Sequence, residues 1–188
     1  MSLYKGENSK IIYNTSHFEG YNLDNVFQDN KAVKFSNETY KVFIVRSIEE
    51  RALINLIIEA ANKLKTEEIQ FFIAGKGPML DFYRLQINNL GLENLKLLGY
   101  VSDNHLIQYY KNCDLVLVPA AYGEGFGLPI IEGYLFGKPV LASNVCAIPE
   151  VICSSEFLFE NNIETRPMFY SINQHAHFAN IKSDNKVA

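Results

Sequence analysis

A doubly wound α/β domain on a parallel sheet is the fold this sequence predicts, and three observations predict it. Short apolar runs recur at Val42-Phe43-Ile44-Val45, Phe71-Phe72-Ile73-Ala74 and Leu115-Val116-Leu117-Val118. Each is continuous rather than alternating, as strands buried on both faces require. Segments with helical spacing of apolar residues lie between them, and turn and cap residues divide the two kinds of segment. Alternating strands and helices of this kind build a parallel sheet with helices on both faces.

Each element follows in order. After the strand at 42–45, Leu53, Leu56, Ile57, Ala60, Ala61 and Leu64 form one stripe and predict a helix of about four turns. The strand at 71–74 leads to a helix from Pro78 to about Leu90, closed by Asn89 and Gly91. Leu95 to Leu98 is a short strand, and Ser102-Asp103-Asn104 caps a helix running to Asn112. The strand at 115–118 precedes a helix from Leu128 to Phe136, with Pro129 in its first turn and Gly137 past its end. Val140-Leu141-Ala142 returns to the sheet. Residues 1–38 are rich in Asn, Asp, Ser and Gly and keep no period, so they read as an irregular lead-in. The domain proper spans 39–160, and 161–188 is an atypical tail without convincing periodicity.

Bulk properties narrow the function. A chain of 188 residues, 48% hydrophobic and 20% charged, supports one globular domain with a sizeable core. A net charge of −4 with no basic stripe argues against a nucleic-acid partner. Cys113, Cys146 and Cys153 are an odd set without metal-type spacing and read as buried thiols of a reducing compartment. His175 and His177 have no acidic or cysteine neighbours in the sequence, so no metal site is expected. No segment approaches the ~18 apolar residues of a membrane span. The expected location is cytoplasmic, at most peripheral at a membrane surface.

In an open α/β sheet, ligands bind beyond the carboxyl ends of the strands. Those ends carry Arg46, then Gly75-Lys76-Gly77, then Tyr100-Val101, then Pro119 to Gly127, then Ser143-Asn144. Gly125-Phe126-Gly127 opens a helix, where bare amides and a positive dipole end suit an anion; a plain tight turn is the other reading. Glu132 can accept two neighbouring hydroxyls, or simply complement the helix dipole. Glu124 sits between glycines at the same helix mouth, as a ligand group or a solvated loop acid. Arg46 and Arg51 are placed to pair with phosphate, or are surface cations. Gly75-Lys76-Gly77-Pro78 lacks the third glycine of a dinucleotide fingerprint and is no Walker A loop, which disfavours NAD binding and ATP hydrolysis.

Taken together, five stretches resemble the nucleotide-sugar-binding half of a GT-B fold, Rossmann-like, retaining glycosyltransferase with an E-x7-E motif, of the glycosyl transferases group 1 kind. They are Phe72-Ile73-Ala74-Gly75-Lys76-Gly77-Pro78, Leu98-Gly99-Tyr100-Val101-Ser102, Cys113 to Pro119, Glu124 through Glu132 with Gly137-Lys138-Pro139-Val140, and Ile148-Pro149-Glu150-Val151-Ile152. The resemblance implies a hexosyl transfer from a nucleoside-diphosphate sugar to a glycan or lipid-linked acceptor, in polysaccharide biosynthesis, with no metal ion required. Glu132 would bind the ribose, and its loss would erase donor binding without touching the stability of the unliganded protein. Glu124 would lie by the donor sugar, Arg46 and Arg51 would hold the diphosphate, and Tyr100-Val101 would border the base. Gly75, Gly125, Phe126, Gly127 and Leu128 complete the donor-binding set, the last three through their amides.

The chain also departs from that pattern. Val45 and Ala52 replace glycines, Arg51 replaces a lysine, and Ala120-Ala121 replaces a serine. The family's upstream acceptor-binding domain has no counterpart in the pattern before residue 40. A chain that binds the donor but transfers poorly alone is therefore expected. The alternative is a non-catalytic nucleotide-sugar-binding subunit that docks to a separate acceptor-domain chain.

Overall fold

The computed structural model describes residues 16, 18, 35–36, 39–161 and 168–184, with side chains of the last helix described to residue 176. Most of the 1–38 lead-in therefore lies outside the described residues, as do 162–167. The described chain runs β1 (Tyr40–Val45), α1 (Ile54–Lys63), β2 (Ile69–Ala74), α2 (Leu80–Asn89), β3 (Leu95–Gly99), α3 (Asp103–Asn112), β4 (Leu115–Val118), α4 (Leu128–Leu135), β5 (Val140–Ser143), α5 (Ile148–Val151), β6 (Leu158–Phe159) and α6 (Met168–Asp184). The six strands form one parallel sheet in the order β3-β2-β1-β4-β5-β6. This is the doubly wound order, with its reversal between β1 and β4.

Alternate residues of the strands feed two cores. Val42, Ile44, Phe71 and Ile73 face a layer made by α1, α2 and α6. Phe43, Phe72, Val116 and Val118 face a layer made by α3, α4 and α5. The second layer is aromatic: Tyr109 stacks on Phe43 at 5.0 Å, and Tyr110 stacks on Phe136 at 5.3 Å. Two lead-in residues complete it. Phe18 is 1% exposed and meets Phe136 edge-on at 5.8 Å, and Phe35 meets Tyr109 at 5.3 Å.

Three expectations are corrected. The first helix is not four turns long: a 3-10 turn over Glu50–Ala52 precedes it, and Leu53 takes a left-handed φ of 52°, so regular hydrogen bonding begins at Ile54. The tail contains a helix, α6, whose Met168, Ile172 and Ala176 are buried in the first core at a spacing of four. That face includes the polar, buried Ser171 and lies next to aromatics, among them the exposed Tyr170, which hides its period in the sequence. Finally, only Cys113 is buried; Cys146 and Cys153 are exposed.

Two measurements follow from this packing. Burial pushes the Cys113 thiol up to about 12, with Lys138 opposing the shift. Cys146 and Cys153 are thus expected to react with a maleimide at neutral pH, and Cys113 only on denaturation; mass spectrometry of the labelled sites decides. Burial also raises Tyr40, Tyr109 and Tyr110 above the ordinary tyrosine value, and Tyr134 to about 12. These phenols hold their protons more tightly when folded, so the unfolded chain releases them first, near pH ~10. Stability from these groups is fully present below that pH and falls as pH rises above it, which urea melts from pH 8 to 11 test.

Candidate functional site

The site is built at the carboxyl edge of β1 and β4, where the loops diverge. Arg46 continues the ladder one residue past β1, its N–H donating to Ala74 O at 3.0 Å. The loop from Arg46 to Ile48 then lies directly on Gly75 and Gly77. A Cβ on Gly75 would stand 1.7 Å from Arg46 O, and one on Gly77 2.1 Å from Ile48 O. Gly75, expected among the donor-binding residues, is thus the seat of the arginine loop and is not among the residues lining the cavity described below.

Glu124 reaches across from the β4 loop. Its Oε2 accepts a hydrogen bond from Arg46 Nη1 at 2.8 Å, and its Oε1 accepts from the Gly127 N–H at 3.0 Å. The pair is mostly shielded, with 8% of the Arg46 and 18% of the Glu124 side chain exposed. Gly127 caps α4 with φ 72°, a conformation that glycine adopts without strain, and a Cβ there would stand 2.8 Å from Ile130 Cδ1. Arg51 fastens the two loops together. Its Nη1 donates to Gly123 O at 3.2 Å, its Nη2 to Glu49 Oε1 at 3.0 Å, and its own carbonyl accepts from the Ala121 N–H at 2.9 Å. The Glu49 hydrogen bond and charge hold the guanidinium's pKa above its usual value.

These residues line an open cavity of about 390 Å³, whose walls include Val45, Arg46, Arg51, Glu124, Phe126, Gly127 and Leu128. Its size falls at the lower end of small-ligand sites, roughly 300–1,000 Å³. Val45 forms part of the wall, whereas Ala52 is fully buried and does not line the cavity. Gly125 is exposed on the loop, with nothing near its Cβ position. A second hollow of about 390 Å³ at the end of β3 is lined by Leu98, Tyr100, Val101, Ser102, His105 and Tyr109. Lys76 Nζ lies 4.2 Å from the centre of the Tyr100 ring, a cation–π contact. Ser102, expected to cap α3 through its hydroxyl, instead pairs its Oγ with His105 Nδ1 at 3.1 Å.

Glu132 is placed differently from Glu124. It is 5% exposed, and its Oε2 accepts from the buried Tyr110 hydroxyl at 2.6 Å. Burial first, then the Glu132 charge, raises the Tyr110 pKa well above the ordinary value and keeps the phenol a donor. Glu132 is not among the residues lining either hollow. Sequence reasoning missed this partner because it sits on another helix, 22 residues away. It also missed a clamp on Ala120, the residue from which the Glu124 loop departs. Ser143 Oγ accepts from the Ala120 N–H at 3.0 Å and donates to Asn161 Oδ1 at 2.8 Å, while Asn161 Nδ2 donates to Ala120 O at 2.8 Å. The remaining His-x-His pair offers one described ring, His175, stacked on Phe157 at 5.3 Å.

Comparison with known proteins names the class this geometry belongs to. The glycosyl transferases group 1 family matches residues 26–166, and the chain belongs to that family. The serotype-specific mannosyltransferase WbdA of Escherichia coli is 31% identical over 138 residues, which cover 67% of this chain and 16% of WbdA. Among solved structures, the C-terminal domain of a group 1 glycosyl transferase (LpcC) from Francisella tularensis superposes with a TM-score of 0.58 at 26% identity, covering 78% of this chain and 77% of that one. Anabaena HepE, solved with UDP, gives a TM-score of 0.66 at 24% identity over 76% of this chain and 40% of its own. The fold is the Rossmann-like α/β half of a GT-B glycosyltransferase. The chain spans 38% of the length of each of two further curated relatives. No described helix is long and apolar enough to cross a membrane.

The Tyr110–Glu132 bond alters what removal of Glu132 does. Glu132→Ala leaves the Tyr110 hydroxyl stranded among rings and is expected to cost about 1–3 kcal/mol of stability. Adding Tyr110→Phe removes the stranded group and should recover part of that loss. Urea denaturation of the singles and the double measures the coupling.

Proposed function

We propose that this chain is the donor-binding half of a retaining hexosyltransferase that moves a sugar from a nucleoside diphosphate to a glycan or lipid-linked acceptor. The observation that carries the reading is the convergence of Arg46, Arg51, Glu124 and the mouth of α4 on one cavity at the reversal point of the sheet. Two guanidinium groups and the positive end of a helix supply favourable potential where a diphosphate leaves the sugar. In this reading no metal ion is required, because those groups stabilise the departing charge. Only interactions that strengthen as the glycosidic bond breaks raise the rate. Glu124 faces the donor sugar, Phe126, Gly127 and Leu128 offer amides, and Tyr100 and Val101 border the base in the second hollow. Glu132 is assigned to the ribose, which it reaches only by turning away from Tyr110 and out of the core.

The rim supports a further partner. Tyr122 and Leu128 are 62% and 39% exposed beside the cavity, as apolar side chains are where a second wall closes over a cleft. That wall, on another domain or a separate chain, would hold the acceptor. Similarity to a mannosyltransferase makes mannose the first sugar to try, and similarity to a UDP complex makes UDP one of the first nucleotides.

A thermal-shift panel of GDP, UDP and ADP with their sugars tests the reading. At ~100 times its dissociation constant the correct ligand should stabilise the fold by about 2.7 kcal/mol. Arg46→Gln should weaken that ligand about tenfold or more, the worth of a charged hydrogen bond. Absence of a shift with every nucleotide, or an Arg46→Gln protein that binds as well as wild type, overturns it.

A further inference from the structure

Glu124 holds the same two groups that the proposed function reserves for the donor's phosphates. Its carboxylate takes Arg46 Nη1 at 2.8 Å through one oxygen and the Gly127 N–H at 3.0 Å through the other. A backbone amide has a single proton to give. Only 8% of the Arg46 side chain is exposed, so little of its guanidinium is reachable from any other side. Carboxylate and phosphate are moreover like charges and repel at contact distance. A phosphate therefore reaches both donors only by taking the carboxylate's place.

We propose, resting on the donor-binding reading above, that Glu124 is an internal competitor for the diphosphate, and that its displacement selects a nucleotide sugar over a bare nucleoside diphosphate. A displaced carboxylate gives up two charge-assisted hydrogen bonds and must find other donors. The hydroxyls of a sugar attached to the phosphate supply them within reach of the same loop. A bare diphosphate carries no hydroxyl there, so it meets the full competition of Glu124. Discrimination of this kind is a difference of affinities built with a repulsive element. It also favours turnover: once the sugar has left, the carboxylate returns to Arg46 and Gly127 and loosens the remaining nucleotide.

The test uses inorganic pyrophosphate, which has the anion and no sugar hydroxyl, titrated calorimetrically into the whole chain. Glu124→Asp keeps the charge but is one methylene too short to span both donors. It should bind pyrophosphate about three- to tenfold more tightly than wild type, the net worth of a hydrogen bond released. Glu124→Gln should gain at least as much, and the gain in either should shrink when Arg46→Gln is added, since the Gly127 amide alone then remains to be released. If both Glu124 variants bind no more tightly than wild type while Arg46→Gln still weakens binding, the competitor role is wrong and the donor site stands. Arg46→Gln without effect, or no binding to any variant, overturns the reading and the competitor together. Melting curves verify each fold, and should Glu124→Asp fail to fold, Glu124→Gln with and without Arg46→Gln decides.

Discussion

The strand order places β1 and β4 side by side at the centre of a parallel sheet, and everything about the site depends on that adjacency. Parallel strands end at the same edge, so the loops that follow them start as neighbours. The chain leaves β1 toward one flank of the sheet and β4 toward the other, so the two loops part and leave a crevice. Arg46 and Glu124, 78 residues apart in sequence, meet across it at 2.8 Å. The pair is shielded enough that losing one partner leaves a poorly hydrated charge, which is costly. It is at once a fastening between loops and the chemistry of the cavity.

The surroundings hold this edge through close backbone contacts as well as through side chains. Gly75 and Gly77 allow the arginine loop to lie against the next strand's turn, closer than any side chain permits. Ser143 and Asn161 clamp both polar groups of Ala120, and Arg51 joins the loops from above. A site carried on loops gains its geometry from such supports.

The aromatic layer has a second role. Tyr110 is locked between Phe43 and Phe136, and its hydroxyl is delivered to Glu132 inside α4. An acid in a helix with this much apolar surface needs such a partner to remain buried. Glu124 and Glu132 thus share a motif but not an environment. One is tied to a cation at the cavity, the other to a phenol beneath it.

Much of this was legible in the residues alone. Continuous apolar runs fix strands buried on both faces, glycine and proline mark the ends of α2 and α4, and Ser102-Asp103-Asn104 opens α3. The clustering of Arg46, Glu124 and the α4 mouth follows from the rule for parallel sheets. What escaped was set by contacts between distant segments. The buried face of α6 becomes visible only against the core it covers. The burial of Glu132 depends on which side of a nearly all-apolar helix α3 occupies. The grip of Glu124 on Arg46 depends on two loops arriving together. Local periodicity records which way a residue faces within its own element; only the packed tertiary structure decides what it faces.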